Sequence, residues 1–260
     1  MLFIFYRGAD VPTGVVISEI ERNDKFTVDK VIFKGEDGKE IYALFFKPKK
    51  EEFDVVIVLP GAEGTKESRR KYADILLEMG IGSFILDQRG IGETGGEINN
   101  FQKDFESYLN GGEVFQYLMA EDVISAASYL NNLREVDEIG VLGESMGGRN
   151  AMIAAGLDKR IKIAVIISSA GYDIGFGEVR ANEFIAYINP NSYIGRISPR
   201  RLLMLHSNND NVISIADARK AFGLAKEPKR FIEFNESECI HGYCAPMLPF
   251  IEEELNEAFR

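Results

Sequence analysis

Histidine is scarce in this chain: among 260 residues only His206 and His241 occur. Cysteine is equally scarce, with Cys239 and Cys244 alone. Two cysteines build no disulfide framework and, by themselves, no zinc site. They read as small apolar fillers with reduced thiols in a cytoplasmic protein, a strained disulfide between them being the minor alternative. Long apolar runs are missing too. No stretch approaches the roughly 18 uninterrupted apolar residues of a membrane span. The apolar Leu2–Tyr6 is too short for a signal-peptide core and meets Arg7 and Asp10 at once.

Positive charge is in short supply. Thirty Lys and Arg stand against 41 Asp and Glu, a net charge of −11, which argues against nucleic acid as a partner because phosphate binding needs clustered cations. The densest basic run, Lys66 to Lys71, is interrupted by Glu67 and reads as the solvated face of a helix. Repeats, low-complexity tracts and Pro/Ser-rich linkers are absent as well. With an ordinary apolar share of 45%, residues 1–260 are expected to form a single domain. Self-association into a homo-oligomer is left open.

What the chain does have is regular alternation. Val15–Ile20, Thr27–Phe33 and Ile41–Phe46 read as antiparallel strands, with Gly35–Gly38 as a hairpin turn. Asp54–Leu59 is a near-continuous β-branched run, the mark of a buried parallel strand. Strands over Gly82–Asp87, Glu138–Leu142, Lys162–Ser168, Arg201–His206 and Lys229–Phe234 then alternate with helices. Those helices are predicted over Ser68–Met79, Phe115–Leu133, Arg149–Ala155 and Ile215–Leu224, and from Pro246 onward. This order implies an α/β fold: a mostly parallel central sheet with helices on both faces and antiparallel strands at its N-terminal side. Ligands in such sheets sit beyond the carboxyl ends of the strands.

One junction stands out. Gly143-Glu-Ser-Met-Gly147 is a G-x-S-x-G pattern at a strand-to-helix turn, where small residues on either side let a serine hydroxyl project from a sharp bend. The helix behind it aims free N–H groups and its dipole at the space above Ser145, where an oxyanion would form. The plain alternative is a Gly-rich β–α turn with Ser145 as a helix cap. A base, an acid and a second oxyanion donor elsewhere would separate the two readings.

A serine hydroxyl needs a base, and histidine is the usual one near neutral pH. His241 lies in a loop between the last strand and the last helix. His206 ends a strand and reads as a residue satisfied by local hydrogen bonds. The order Ser, acid, base is met by Ser145, Asp210 and His241, with Asp173 as a competitor for the acid and plain turn chemistry as the alternative for Asp210. The oxyanion hole would use the N–H of Met146 and, by its position in the loop Pro60–Glu63, that of Ala62.

These motifs together resemble the α/β-hydrolase-fold serine hydrolases, from about residue 40 to the end. Gly143–Gly147 matches the family's elbow. Asp87-Gln-Arg-Gly-Ile-Gly-Glu-Thr94 resembles its D-x-R-G-x-G-x-S loop, with Asp87 and Arg89 as turn and packing residues. Leu205-His-Ser-Asn-Asn-Asp210 resembles the stretch carrying the acid. Leu59-Pro-Gly-Ala62 resembles the H-G-x oxyanion loop, with Pro60 where histidine is usual. The resemblance implies a carboxylesterase-like enzyme acting on a small-molecule ester through an acyl-enzyme, with no metal or organic cofactor. A small peptidase, amidase or thioesterase is the alternative, and a non-catalytic binding protein a third. Family lids usually follow the sixth core strand, here 171–200, long enough only for a minimal lid and suited to short or medium acyl chains. Phe101, Phe105, Tyr108, Phe115 and Tyr117 would either wall an acyl pocket or pack as core. Glu144 reads as a surface or supporting residue.

Overall fold

The computed structural model describes residues 12, 14–173, 175 and 177–260. The apolar Leu2–Tyr6 lies outside the described residues. Nine strands form one sheet: β1 (Val16–Arg22), β2 (Phe26–Lys34), β3 (Glu40–Pro48), β4 (Phe53–Leu59), β5 (Gly82–Leu86), β6 (Val136–Glu144), β7 (Ile161–Ile167), β8 (Arg201–Ser207) and β9 (Lys229–Phe234). Their order across the sheet is β1-β2-β3-β5-β4-β6-β7-β8-β9. Pairing is antiparallel from β1 to β5 and parallel from β5 through β9. Every strand expected from the sequence is present, because each is a short apolar or alternating run, most of them β-branched or aromatic and β8 rich in leucine, that can pair and bury.

Successive residues of β4 face opposite ways and explain the layering. Val55, Ile57 and Leu59 point into one core with Val141, Ala164 and Met204, covered by α3 (Phe115–Leu130), α4 (Met146–Leu157) and α6 (Ile215–Leu224). Val56 and Val58 point into the other with Leu142, Val165 and Leu205, covered by α1 (Arg70–Glu78) and α7 (Leu248–Ala258). Each fully buried Val or Ile contributes about 1.5–3 kcal/mol, so the parallel centre of the sheet is the most heavily anchored part of the molecule. No helix among the described residues is long and apolar enough to cross a membrane.

Two further helices, α2 (Phe101–Leu109) and α5 (Val179–Ile188), lie over a third apolar cluster built on Tyr117, Ile153, Phe184, Ile188 and Tyr193. The sequence pattern did not suggest α2, whose stripe mixes aromatic and charged residues. Local capping makes it: the Asn100 side chain accepts the N–H of Lys103. Asp104, fully buried, then accepts the N–H groups of Phe115 and Gln116 and so starts α3.

The basic run Lys66–Lys71 corrects an expectation. Lys66 is not on a solvated face; its side chain is 1% exposed, and its Nζ lies 2.6 Å from the buried carboxylate of Asp87 and 2.7 Å from Glu93. Asp87 also accepts the backbone N–H groups of Lys66 and Glu93. The carboxylate at the end of β5 is inaccessible to water, so the chain folds a cation over it. Arg89 in the same loop is buried too, bridging Asp122 and Asp37, which makes this loop a packing device. Lys66→Ala leaves Asp87 buried with one charge partner fewer. It should cost about 3 kcal/mol and lower the thermal midpoint by roughly 6–12 °C, measured by calorimetry. An unchanged midpoint would show the pair to be idle.

Candidate active site

The parallel strands end at one edge of the sheet, and the loops leaving β4, β6, β8 and β9 meet there. The chain runs from β4 to β5 on one side and returns to β6 on the other, so β4 and β6 flank the point where strand order reverses. Crevices open at such points. Ser145 sits at this one, on the turn from β6 into α4.

Its backbone is forced. Ser145 has φ 53° and ψ −115°, a region in which a non-glycine residue costs about 1–3 kcal/mol. Its N–H donates to the Ile167 carbonyl, and its own carbonyl accepts from Ser169 Oγ at 2.7 Å. The flanking glycines leave no room for a side chain. A Cβ on Gly143 would fall 2.3 Å from the Gly147 carbonyl oxygen, and one on Gly147 would fall 2.2 Å from that of Leu59. The loop after β4 presses close as well, since a Cβ on Gly61 would stand 3.5 Å from Ser145 Cβ. Ala62 follows in that loop, exposed, and Met146 opens α4, half-buried.

His241 and Asp210 come together. The Nδ1 of His241 lies 2.9 and 3.0 Å from the two carboxylate oxygens of Asp210. With Nδ1 donating, Nε2 is left as the ring's proton acceptor. The Asp210 side chain is 0% exposed, and its carboxylate also accepts the N–H groups of Val212 and Ile213. Burial alone would raise its carboxyl, but the two backbone donors and His241 outweigh it and hold it below the usual range. His206 is where a strand-end residue should be: buried, its Nε2 donating to the Ile213 carbonyl at 2.9 Å, with burial lowering its pKa. Asp173, the competing acid, is exposed and paired with Lys220.

Ser168, just past β7, was not singled out by sequence reasoning. It too has positive φ, 46°, and its Oγ accepts the N–H of Gly242, next to His241, at 2.9 Å. A strained serine one strand away from the elbow carries no sequence signal of its own. The expectation of reduced thiols is also corrected. Cys239 and Cys244 are joined in a disulfide with Cα atoms 5.3 Å apart, bracketing the loop of His241. The loop returns on itself so tightly that the two buried side chains face each other.

The aromatic stripe divides. Phe101 and Phe105 line a cavity of about 270 Å³ with Ala181, Phe184 and Ile185, between α2 and α5. Tyr108 and Tyr117 instead pack on Tyr187, Tyr117 with its ring stacked at 4.3 Å. Phe115 borders a separate cleft with Asp37 and Arg89. A wider groove of about 940 Å³, lined by Phe26, Lys49, Leu77 and Met79, lies at the opposite end of the sheet from Ser145.

The family model described as acetyl xylan esterase (AXE1) matches residues 14–171, more than half of the chain and including the elbow. The chain belongs to that family. The match stops before Asp210 and His241. The crystal structure of acetyl xylan esterase 1 from Thermoanaerobacterium sp. JW/SL YS485 superposes with a TM-score of 0.80 at 18% identity, over 96% of this chain and 89% of that one. The acetyl xylan esterase from Paenibacillus sp. R4 gives 0.80 at 19% identity, over 96% and 90%. At such identities these likenesses speak for the fold. The uncharacterized protein YfhR of Escherichia coli (strain K12) is 27% identical over 255 residues, 90% of this chain and 84% of that one. As a member of the acetyl xylan esterase family, the protein is a hydrolase acting on ester bonds.

The disulfide generates a prediction. Closing so short a loop contributes about 2 kcal/mol through the unfolded chain. Reduction should therefore lower the thermal midpoint by roughly 4–8 °C and release two thiols in a Cys titration. Two free thiols before any reductant is added would contradict the bridge.

Proposed function

We propose that the protein hydrolyses carboxylic esters of short to medium acyl chain through an acyl-enzyme on Ser145. His241 takes the serine proton and later returns it to the leaving alcohol; Asp210 fixes the imidazole tautomer and stabilises the imidazolium. The N–H groups of Met146 and Ala62 receive the oxyanion. Water, activated by His241, then releases the acid. The observation that carries this reading is the contact of His241 Nδ1 with the buried Asp210 at 2.9 Å, on loops that leave the sheet at the same edge as the strained Ser145.

The family name makes acetate the first acyl group to test, and the cavity between α2 and α5 is suited to a somewhat longer apolar chain. Residues 1–260 are read as one hydrolase domain, with 171–200, including α5, as a minimal lid. The cytoplasmic location read from the sequence is kept, and it requires that the buried Cys239–Cys244 bridge be shielded from cellular thiols.

The test is a p-nitrophenyl ester series from acetate to palmitate. Turnover should peak at short chains and fall by roughly 10⁴-fold or more in Ser145→Ala. Equal rates in both proteins would sink the serine mechanism. The pocket has its own test. Phe184→Trp, which fills the cavity, should reduce kcat/KM for hexanoate by about 10-fold and leave acetate within about twofold. An equal loss on both esters would place the acyl chain elsewhere.

A further inference from the structure

The loops around Ser145 are tied together by Glu144, the residue that precedes it. Its carboxylate is mostly buried, with 13% of the side chain exposed. Oε2 accepts a hydrogen bond from the Tyr72 hydroxyl at 2.9 Å, and Oε1 accepts from Arg69 Nη2 at 3.3 Å. Burial and the adjacent carboxylate hold the Tyr72 phenol well above its ordinary pKa, so it remains a donor.

Each partner touches a different part of the site. A Cβ on Gly64, in the loop after β4, would fall 2.9 Å from Arg69 Nη2, so the guanidinium lies directly on the loop that carries Ala62. A Cβ on Gly242 would fall 2.5 Å from Glu144 Oε1, so the carboxylate lies directly on the backbone next to His241. The Tyr72 ring meets Tyr243 edge to face at 5.4 Å, and Tyr243 follows Gly242 in the same loop. One carboxylate therefore contacts, directly or through a single side chain, the elbow, the Ala62 loop and the His241 loop.

We propose that Glu144 is a positioning residue for ester hydrolysis: with Arg69 and Tyr72 it fixes the spacing of the Ala62 loop, Ser145 and the His241 loop. This rests on the assignment of Ser145, His241 and Asp210 made above. Glycine at 64 and 242 is required by the same arrangement, because a side chain at either place would displace the brace. The brace acts on geometry more than on binding, so its loss reads out in kcat.

The test measures kcat and KM for p-nitrophenyl acetate, and the rate of inactivation by a fluorophosphonate, in Glu144→Ala, Glu144→Gln, Tyr72→Phe and the double variant Glu144→Ala/Tyr72→Phe. Circular dichroism and thermal midpoints show that each is folded at the assay temperature. Glu144→Ala should lower kcat and the inactivation rate together by about 10- to 100-fold, with KM within about threefold. Glu144→Gln, which keeps the size and the Tyr72 hydrogen bond, should recover to within about threefold of the parent. The double variant should be no slower than Glu144→Ala, because both changes break one unit.

A folded Glu144→Ala with parental kcat would overturn the brace, as would additive losses in the double variant. Should Glu144→Ala fail to fold, Tyr72→Phe with parental kcat would do the same. Ser145→Ala run alongside separates the two levels: full activity there would overturn the serine assignment and the brace with it. An inactive Ser145→Ala beside an unimpaired Glu144→Ala would remove the brace alone.

Discussion

The backbone of Ser145 sets the terms for everything around it. At φ 53° and ψ −115° an L-residue is held against its own preference, and three separate features hold it. The parallel pairing of β6 with β4 and β7 fixes the strand that delivers it. Gly143 and Gly147 allow the turn to close on carbonyl groups at distances no Cβ would tolerate. The core beneath is composed of residues almost wholly removed from water, so the local strain is small beside the burial that opposes its release. The residue is thereby held at the point where the sheet's strand order reverses.

Electrostatics around the site follow from burial of the same kind. The Asp210 carboxylate is out of reach of solvent, yet it stays an anion because two backbone N–H groups and the imidazole compensate the lost water. The Asp87 carboxylate is likewise sealed, and Lys66 answers it. These two carboxylates illustrate one rule with different outcomes. Where the partner is a lysine the pair holds a loop; where it is His241 the pair fixes an imidazole whose Nδ1 meets the carboxylate at 2.9 Å.

Much of this was legible in the sequence, and the part that was not shares a cause. The strands were readable because runs such as Asp54–Leu59 are too apolar and β-branched for anything else. Gly143–Gly147 was readable because the turn's geometry demands those residue types in one short window. His241 and Asp210 could be picked out because histidine is scarce and chain order limits the acid. The burial of Lys66 is not legible in the sequence because it depends on Asp87, 21 residues away, and a basic residue beside Glu67 resembles any solvated helix face. Helix α2 was missed because its start rests on the Asn100 side chain and not on an apolar period. The disulfide is not legible in the sequence because a five-residue spacing alone does not reveal that the loop doubles back. Contacts of Glu144 with Gly242, or of Ser168 with the same residue, exist only once distant loops have met.

In the proposed reaction the ester's acyl group passes through a covalent bond to Ser145. Rapid-quench mixing of the protein with p-nitrophenyl acetate, followed by intact mass and peptide mapping, tests it most directly. The expected result is a transient gain of one acetyl group per chain, located on Ser145 and formed as fast as the first turnover. Steady product release with no acylated protein at any time, or with the acetyl group on another residue, would contradict it.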